Sequence, residues 1–374
     1  MSLLTFKGHQ HFRQRLLCAT LSGRGIRIDD IRADEDSPGL RDYEASLLRL
    51  IERVSNGCVV DINSSGTSLR YRPGVIVGGG SLTHDCGTSR SIGWFLEPLV
   101  LLGLFGKKPL SIVLQGITND EFDPGLDTWR TVTLPILAKF CDIEDGLECH
   151  VVRRGARLGG GGEVKLMVPI VREVPNVRWV DEGMVKRIRG VAYSMKVSPQ
   201  NTNRMVDGAR GMLKGLLGDV HIFTDAVKGK NSGNSPGYGV TLVAETTTEF
   251  LISSEAYVMH RDANQDSDEE GQPAELVIPE ELGKYAAAGL LDQVERGGVV
   301  DGTHQAIVLL LCALGPELLS EVRLGPLTPS AIQMARLLKD FFGVIFDVRP
   351  EKEYGTIFMS CVGVGMKNIG RRAT

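Results

Sequence analysis

Aromatic residues make up only 6% of the 374 residues, too few for a surface that holds bases by stacking them on rings. An excess of positive charge is also missing, since 42 Lys and Arg face 46 Asp and Glu, a formal net charge of −4. No chain-wide basic field exists to hold nucleic acid non-specifically, so any such contact has to come from a local patch or through a partner. The longest apolar runs, around 99–105 and 306–314, fall far short of the roughly 20 residues that span a bilayer. The opening stretch MSLLTFKGHQHF has no apolar segment of signal-peptide length, so a soluble protein that stays inside the cell is expected. The seven cysteines are odd in number, have no CxxC spacing and sit mostly in apolar runs such as Arg15–Cys18. That is the pattern of buried, reduced thiols.

Phosphate-loop and HExxH sequences are absent. The stretch Asp266–Gly271 approaches a calcium-loop pattern, but its twelfth position is Val277 and not Glu. His9 and His11 lie two apart among Lys7, Arg13 and Arg15, with no carboxylate or cysteine close in sequence. They read as solvated or RNA-facing charge, and no metal is expected.

What is present is an ordinary globular composition, 42% hydrophobic and 24% charged, with 45 glycines gathered in turns. Such turns imply many short strands and tight connections. Helical spacing occurs at 12–21, 42–55, 92–104 and 127–140, and strand-like alternation at 3–6, 26–28, 58–62, 68–71, 110–115, 149–153 and 163–168. Strands and helices thus recur as repeated α/β units over the first 170 residues. From about Lys186 the texture changes. Strands at 188–197, 220–225 and 239–245 with a helix at 203–217 describe an inserted unit. Residues 262–273 are polar and acidic, which predicts a disordered loop. Helices are expected at 280–296, 301–314 and 329–342, with strands at 321–323, 344–348 and 357–364.

Two glycine turns, Gly78–Gly80 and Gly159, Gly160, Gly161 and Gly162, admit two readings. Each is a tight structural turn, or a row of backbone N–H groups presented to phosphate. Arg72 before the first turn, and Arg153, Arg154 and Arg157 before the second, favour anion or RNA contact, because arginine matches phosphate geometry with two donors. Arg336 and Lys339, three apart on one helix face, read as RNA contacts or as the solvated side of an amphipathic helix.

Several of these segments together resemble the RNA 3′-terminal phosphate cyclase family: Arg32-Ala33 with Ser37–Leu40, Arg72–Gly74 with Gly78-Gly79, Gly116–Thr118 with Pro135–Lys139, and the Gly159–Gly162 turn. Val191–Pro199 and Ser235–Gly239 resemble more specifically its eukaryotic cyclase-like branch, and the resemblance runs from about residue 4 to 365. It implies an α/β (α+β) fold of three repeated units, each a four-stranded sheet backed by two helices and similar to the C-terminal domain of translation initiation factor three. A small inserted α/β domain is added to these. The implied division is 1–185 for the first two units, 186–274 for the insert and 275–374 for the third unit.

Departures from the family bear on function. Cyclases carry AMP on a histidine in a Pro-Ser-Cys-His type turn near the C-terminus. The matching turn here is Leu327–Ser330, with Ser330 in place of the histidine. A serine hydroxyl needs an activating base to act as a nucleophile, and the nearest histidine in sequence, His304, belongs to a different helix. The acidic, glycine-rich nucleotide loop is shortened to Lys7–His11. Asp301 matches an acidic position of the family, but the second aspartate is replaced near Ala306. The resemblance therefore implies no catalytic residue, no cofactor and no small-molecule substrate. It implies an assembly factor of the small-subunit processome required for pre-18S rRNA processing, located in the nucleus and nucleolus. The expected partners are pre-rRNA and a Bms-type ribosome-assembly GTPase, with no membrane. The competing expectation is a pre-rRNA endonuclease using Asp301, Glu163 and Asp120. Enolpyruvyl transferases share the repeated-unit architecture, but no feature here specifically supports that chemistry.

Overall fold

The structure, a computed structural model, describes residues 3–258 and 278–368; the acidic segment 262–273 lies outside them. The first unit runs β1 (Leu4–Lys7), α1 (Phe12–Ser22), β2 (Ile26–Asp29), α2 (Asp42–Val54), β3 (Ser55–Asn56), β4 (Val59–Ile62) and β5 (Leu69–Arg72). Helix α2 forms because Leu47, Leu48, Leu50, Ile51 and Val54 fall on one stripe and are all buried. Its start is fixed by Glu44, which accepts the Arg41 amide at 2.8 Å and the Arg32 guanidinium at 2.7 and 2.9 Å. The sheet order is β1-β2-β5-β4, with β1 and β2 parallel and the other neighbours antiparallel. The short β6 (Val75–Ile76) pairs with β3 and leads into the second unit.

That unit repeats the plan with β7 (Gly79–Asp85), α3 (Ile92–Leu104), β8 (Leu110–Gly116), α4 (Leu126–Thr128), α5 (Leu134–Cys141), β9 (Glu148–Arg153) and β10 (Gly162–Val168). The order β7-β8-β10-β9 again has one parallel pair. Leu110, Ile112 and Leu114 of β8 and Val164, Leu166 and Val168 of β10 point to the same buried face. The continuous helix expected at 127–140 is instead broken by a π-helical turn, Trp129–Thr133, between α4 and α5. Pro135 is the cause: it has no N–H for the carbonyl one turn back, and its ring would collide there.

The third unit is interleaved with the insert. β11 (Arg178–Trp179) opens it, then β12 (Val185–Met195), α6 (Gln200–Leu213), β13 (Val220–Val227), β14 (Gly237–Thr246), β15 (Leu251–Tyr257) and α7 (Pro279–Arg296) form the insert. The third unit resumes with α8 (Gln305–Leu314), β16 (Leu319–Leu324), α9 (Pro329–Phe342), β17 (Asp347–Glu351) and β18 (Thr356–Val362). Its sheet order, β11-β16-β18-β17 with β11 and β16 parallel, matches the first two units. Against the boundaries expected at 185 and 274, strand pairing puts 178–179 with the third unit, and packing puts α7 with the insert. Leu282, Ala286, Ala287 and Leu290 of α7 share the insert's own core with Met205, Val206 and Ala209 of α6. The two helices approach so closely that a Cβ on Gly283 would lie 2.0 Å from the Met205 carbonyl oxygen. A separate, continuous apolar core runs through the three repeated units.

The expected helix at 301–314 begins only at Gln305, because Asp301 accepts the Thr303 and His304 amides and holds 301–304 as a turn. The strand β15 escapes the sequence pattern because Ser253, Ser254 and Glu255 make it look polar. All seven cysteines are unpaired, and all but Cys58 are buried. Among the described residues no helix is long and apolar enough to cross a membrane.

Candidate functional site

The N-terminal turn of α9 stands at a cavity of about 530 Å³, walled by all three repeated units. Arg13 of α1, Glu97 of α3, Trp129 and Thr133 of the π-helical turn, His304 and Ser330 line it. The rim at Ser330 is braced locally. Thr328 Oγ1 accepts the Ala331 amide at 3.2 Å, so it caps α9, and Pro329 fills the first helical position. Gln305 accepts the Thr328 amide at 2.9 Å and donates to the Pro326 carbonyl at 3.1 Å. Ser330 is exposed, and its hydroxyl has no hydrogen-bond partner among the described residues.

His304, distant in sequence terms, is brought to the same cavity, but both its ring nitrogens are engaged. Nδ1 lies 2.7 Å from Asp301 Oδ1, and Nε2 lies 2.8 Å from Thr133 Oγ1. Asp301 Oδ2 also accepts the Ser253 amide at 2.8 Å and the Ser253 hydroxyl at 2.7 Å. Burial opposes the Asp301 charge, but His304 and these donors outweigh it and hold the carboxyl below its ordinary value. The carboxylate takes Nδ1–H, which in the neutral imidazole leaves Nε2 to accept the Thr133 hydroxyl. The chain Thr133–His304–Asp301–Ser253 joins the second unit, the third unit and the insert. Among the described residues, His304 is thus engaged on both ring nitrogens and does not hydrogen-bond Ser330.

The cations of this cavity are committed as well. Arg13 lies 2.5 Å from Glu97 and 3.4 Å from Asp123, and Arg296 pairs with Asp292 at 2.9 Å; Arg90, outside the lining, reaches Asp123 at 3.2 Å. The shortened loop Lys7–His11 is held from behind: Arg15 donates to the Gly8 and Lys7 carbonyls at 2.7 and 3.2 Å.

The anion candidates fall in separate places. Arg154 is buried, with two donors on Asp127 at 2.7 and 2.9 Å, its Nε on Asp225 at 2.8 Å, and its guanidinium 4.5 Å from the centre of the Tyr193 ring. Asp225 and Tyr193 belong to the insert, so Arg154 is a clamp between units, and the expected anion contact is replaced by carboxylates. Arg157 pairs with Glu121 over the Phe122 ring, and Arg153 lies 3.6 Å from Glu163. Of the two readings of the glycine turn, the structural one accounts for the contacts made. The Gly159 amide donates to Ser235 Oγ at 2.8 Å, the Gly160 amide to the Ala156 carbonyl at 2.9 Å, and the Asn234 amide to the Gly160 carbonyl at 3.0 Å. Gly161 has a φ of 76°, and a Cβ there would meet the Asn234 side chain at 2.9 Å. Gly162 begins β10, opposite Gly116. The turn therefore seats the insert's 231–235 loop. Arg72 is exposed at the end of β5, and Arg336 and Lys339 are exposed together on α9, without ion pairs among the described residues.

The three carboxylates considered for nuclease chemistry are not brought together. Asp301 is buried in the chain above, Glu163 on β10 accepts from Gln115 at 3.3 Å, and Asp120 lines a different cavity. Among the described residues no group of three or more His, Cys, Asp or Glu is arranged to hold a metal ion. No local pattern marks Thr133, Glu97 or Asp123 as cavity residues, since each acts through partners far along the chain.

The family model described as RNA 3'-terminal phosphate cyclase matches residues 4–348. A probable RNA 3'-terminal phosphate cyclase-like protein of Dictyostelium discoideum is 47% identical over 369 residues, covering 99% of each chain. Its counterpart in Arabidopsis thaliana is 49% identical over 366 residues, covering 98% of each. The rRNA processing protein rcl1 of Schizosaccharomyces pombe is 41% identical over 373 residues, covering 99% of this chain and 98% of its own. The chain belongs to the RNA 3'-terminal phosphate cyclase family, in its cyclase-like branch.

Proposed function

We propose that this chain serves rRNA processing without cyclase chemistry, as an assembly factor of the small-subunit processome required for pre-18S rRNA processing. The observation that carries the reading is the state of the cavity at Ser330. By the family resemblance a hydroxyl takes the place of the adenylate-carrying imidazole, and the histidine lining the same cavity has both nitrogens engaged by Asp301 and Thr133. The lining arginines are likewise paired with carboxylates. Support for the process comes from relatives in two yeasts named as rRNA processing proteins. In this reading the chain works in the nucleus and nucleolus, with a Bms-type GTPase as partner. Of the basic residues expected to contact RNA, Arg72, Arg336 and Lys339 are exposed without ion pairs among the described residues and are the proposed contacts to pre-rRNA.

The test has two arms. The purified chain, given labelled ATP and RNA ending in a 3′-phosphate, should form neither an AMP adduct nor a cyclic phosphate. In cells depleted of the protein, precursors of the small-subunit rRNA should accumulate, and wild type and Ser330→Ala should clear them equally. A folded Ser330→Ala that fails to restore processing would show that chemistry at this position is needed, against the proposal.

A further inference from the structure

The loop from Thr118 to Gly125 separates two cavities. Phe122, Asp123 and Pro124 line the one at Ser330, whereas Asp120 and Glu121 line another of about 680 Å³. The second cavity lies between the second unit and the insert, and its other walls include Met212 of α6, Tyr257 of β15 and Tyr285 of α7. Most of the lining is apolar, and Met212 and Tyr285 remain 39% and 73% exposed beside it. Large apolar side chains left open around a concave site mark a contact surface.

Asp120 is the carboxylate lining this cavity that has no side-chain partner among the described residues. It is only 4% exposed. Its Oδ1 accepts the Phe122 and Asp123 amides at 3.1 and 2.9 Å, while among the described residues Oδ2 has no hydrogen bond and no cation pairs with the carboxylate. Burial, with Asp123 close by, pushes its carboxyl up to about 6. The neighbouring carboxylates are provided for: Glu121 by Arg157, Glu281 by Lys284 at 2.7 Å, and Glu255 by the Gly125 amide, Thr128 and Tyr257. An unpaired buried carboxylate is costly unless a cation completes it. A guanidinium on an aliphatic stem has the matching chemistry. It is planar, more weakly hydrated than an ammonium, and stacks on aromatic rings while its stem covers apolar surface.

We propose that this cavity is a docking site for an arginine side chain of a partner protein, its guanidinium on Asp120 Oδ2 and its stem against Met212 and Tyr285. The site is separate from the Ser330 cavity and does not depend on whether that cavity has chemistry. The test is calorimetric titration of the full chain with the blocked tripeptide acetyl-Leu-Arg-Leu-amide, and with the same peptide carrying citrulline or lysine in place of arginine. Citrulline keeps the shape and removes the charge. The arginine peptide should bind at least about tenfold more tightly than the other two, a difference of about 1.4 kcal/mol. Asp120→Asn should abolish that preference, and Tyr285→Ser, at an exposed position that leaves the fold intact, should weaken the arginine peptide. Equal affinity for arginine and citrulline, equal affinity for arginine and lysine, a preference that survives Asp120→Asn, or no binding up to about 10 mM peptide would each overturn the proposal.

Discussion

Replacing Asp120 by asparagine should stabilise the folded chain above pH 6 while emptying it of the group that the second cavity presents. The folded carboxyl is pushed up to about 6 from an ordinary 3.8, chiefly by burial and then by Asp123. At about 1.4 kcal/mol per tenfold change in proton affinity, that corresponds to an ionisation cost on the order of 3 kcal/mol. Between about pH 4 and pH 6 the folded state keeps a proton that the unfolded chain has released. Stability from this group is therefore highest at the acid end, falls as pH rises through that window, and is flat above it. Asparagine retains an oxygen for the Phe122 and Asp123 amides and has no charge to bury. Urea denaturation of wild type and variant, side by side from pH 4 to pH 8, isolates the effect because every other group titrates in both. The variant should be more stable by on the order of 2–3 kcal/mol at pH 8, with the gap closing towards pH 4. A gap of constant size across this range, or a variant less stable at pH 8, would refute the reasoning.

Four further outcomes follow from the packing. Gly283→Ala places a Cβ 2.0 Å from the Met205 carbonyl oxygen and should cost at least about 2 kcal/mol, seen as a lowered Tm. Gly211→Ala, on α6 with nothing within 4 Å, should instead be neutral or stabilising by up to about 1 kcal/mol. Arg154→Ala strips the two-donor partner from Asp127, which is 0% exposed and among the described residues keeps only Arg130 at 3.5 Å, and should cost about 3–5 kcal/mol in chemical denaturation. It should also speed proteolysis at the 231–235 loop, whose seat lies beside it. Thr133→Val removes the hydroxyl from His304 Nε2 and should cost about 1–3 kcal/mol by the same denaturation assay.

Much of the candidate site was not readable as a site. Arg154 and the Gly159–Gly162 turn looked like anion-binding material because composition shows donors but not what they face. In the fold, Asp127, Asp225, Ser235 and Asn234 reach them from other parts of the chain. Asp120 was legible only as one of three carboxylates for nuclease chemistry, and its enclosure in a separate cavity is what the fold adds. The polarity that hid β15 has the same origin. Ser253 and Glu255 are polar because they serve Asp301 and Thr128 across an interface, so they break the alternation that marks a strand.

The amino-acid sequence by itself determined what depends on neighbours a few residues apart. Helices α2, α3 and α9 follow from their apolar spacing, and the capped turn at Thr328–Pro329 from residue type. Tertiary structure alone decided what depends on partners at long range. Arg178 and Glu321, 143 residues apart, meet because β11 joins the sheet of the third unit across the whole insert. Thr133 meets His304 across 171 residues. Strand pairing and charge pairing act through space, and local periodicity carries no information about which distant segment will arrive.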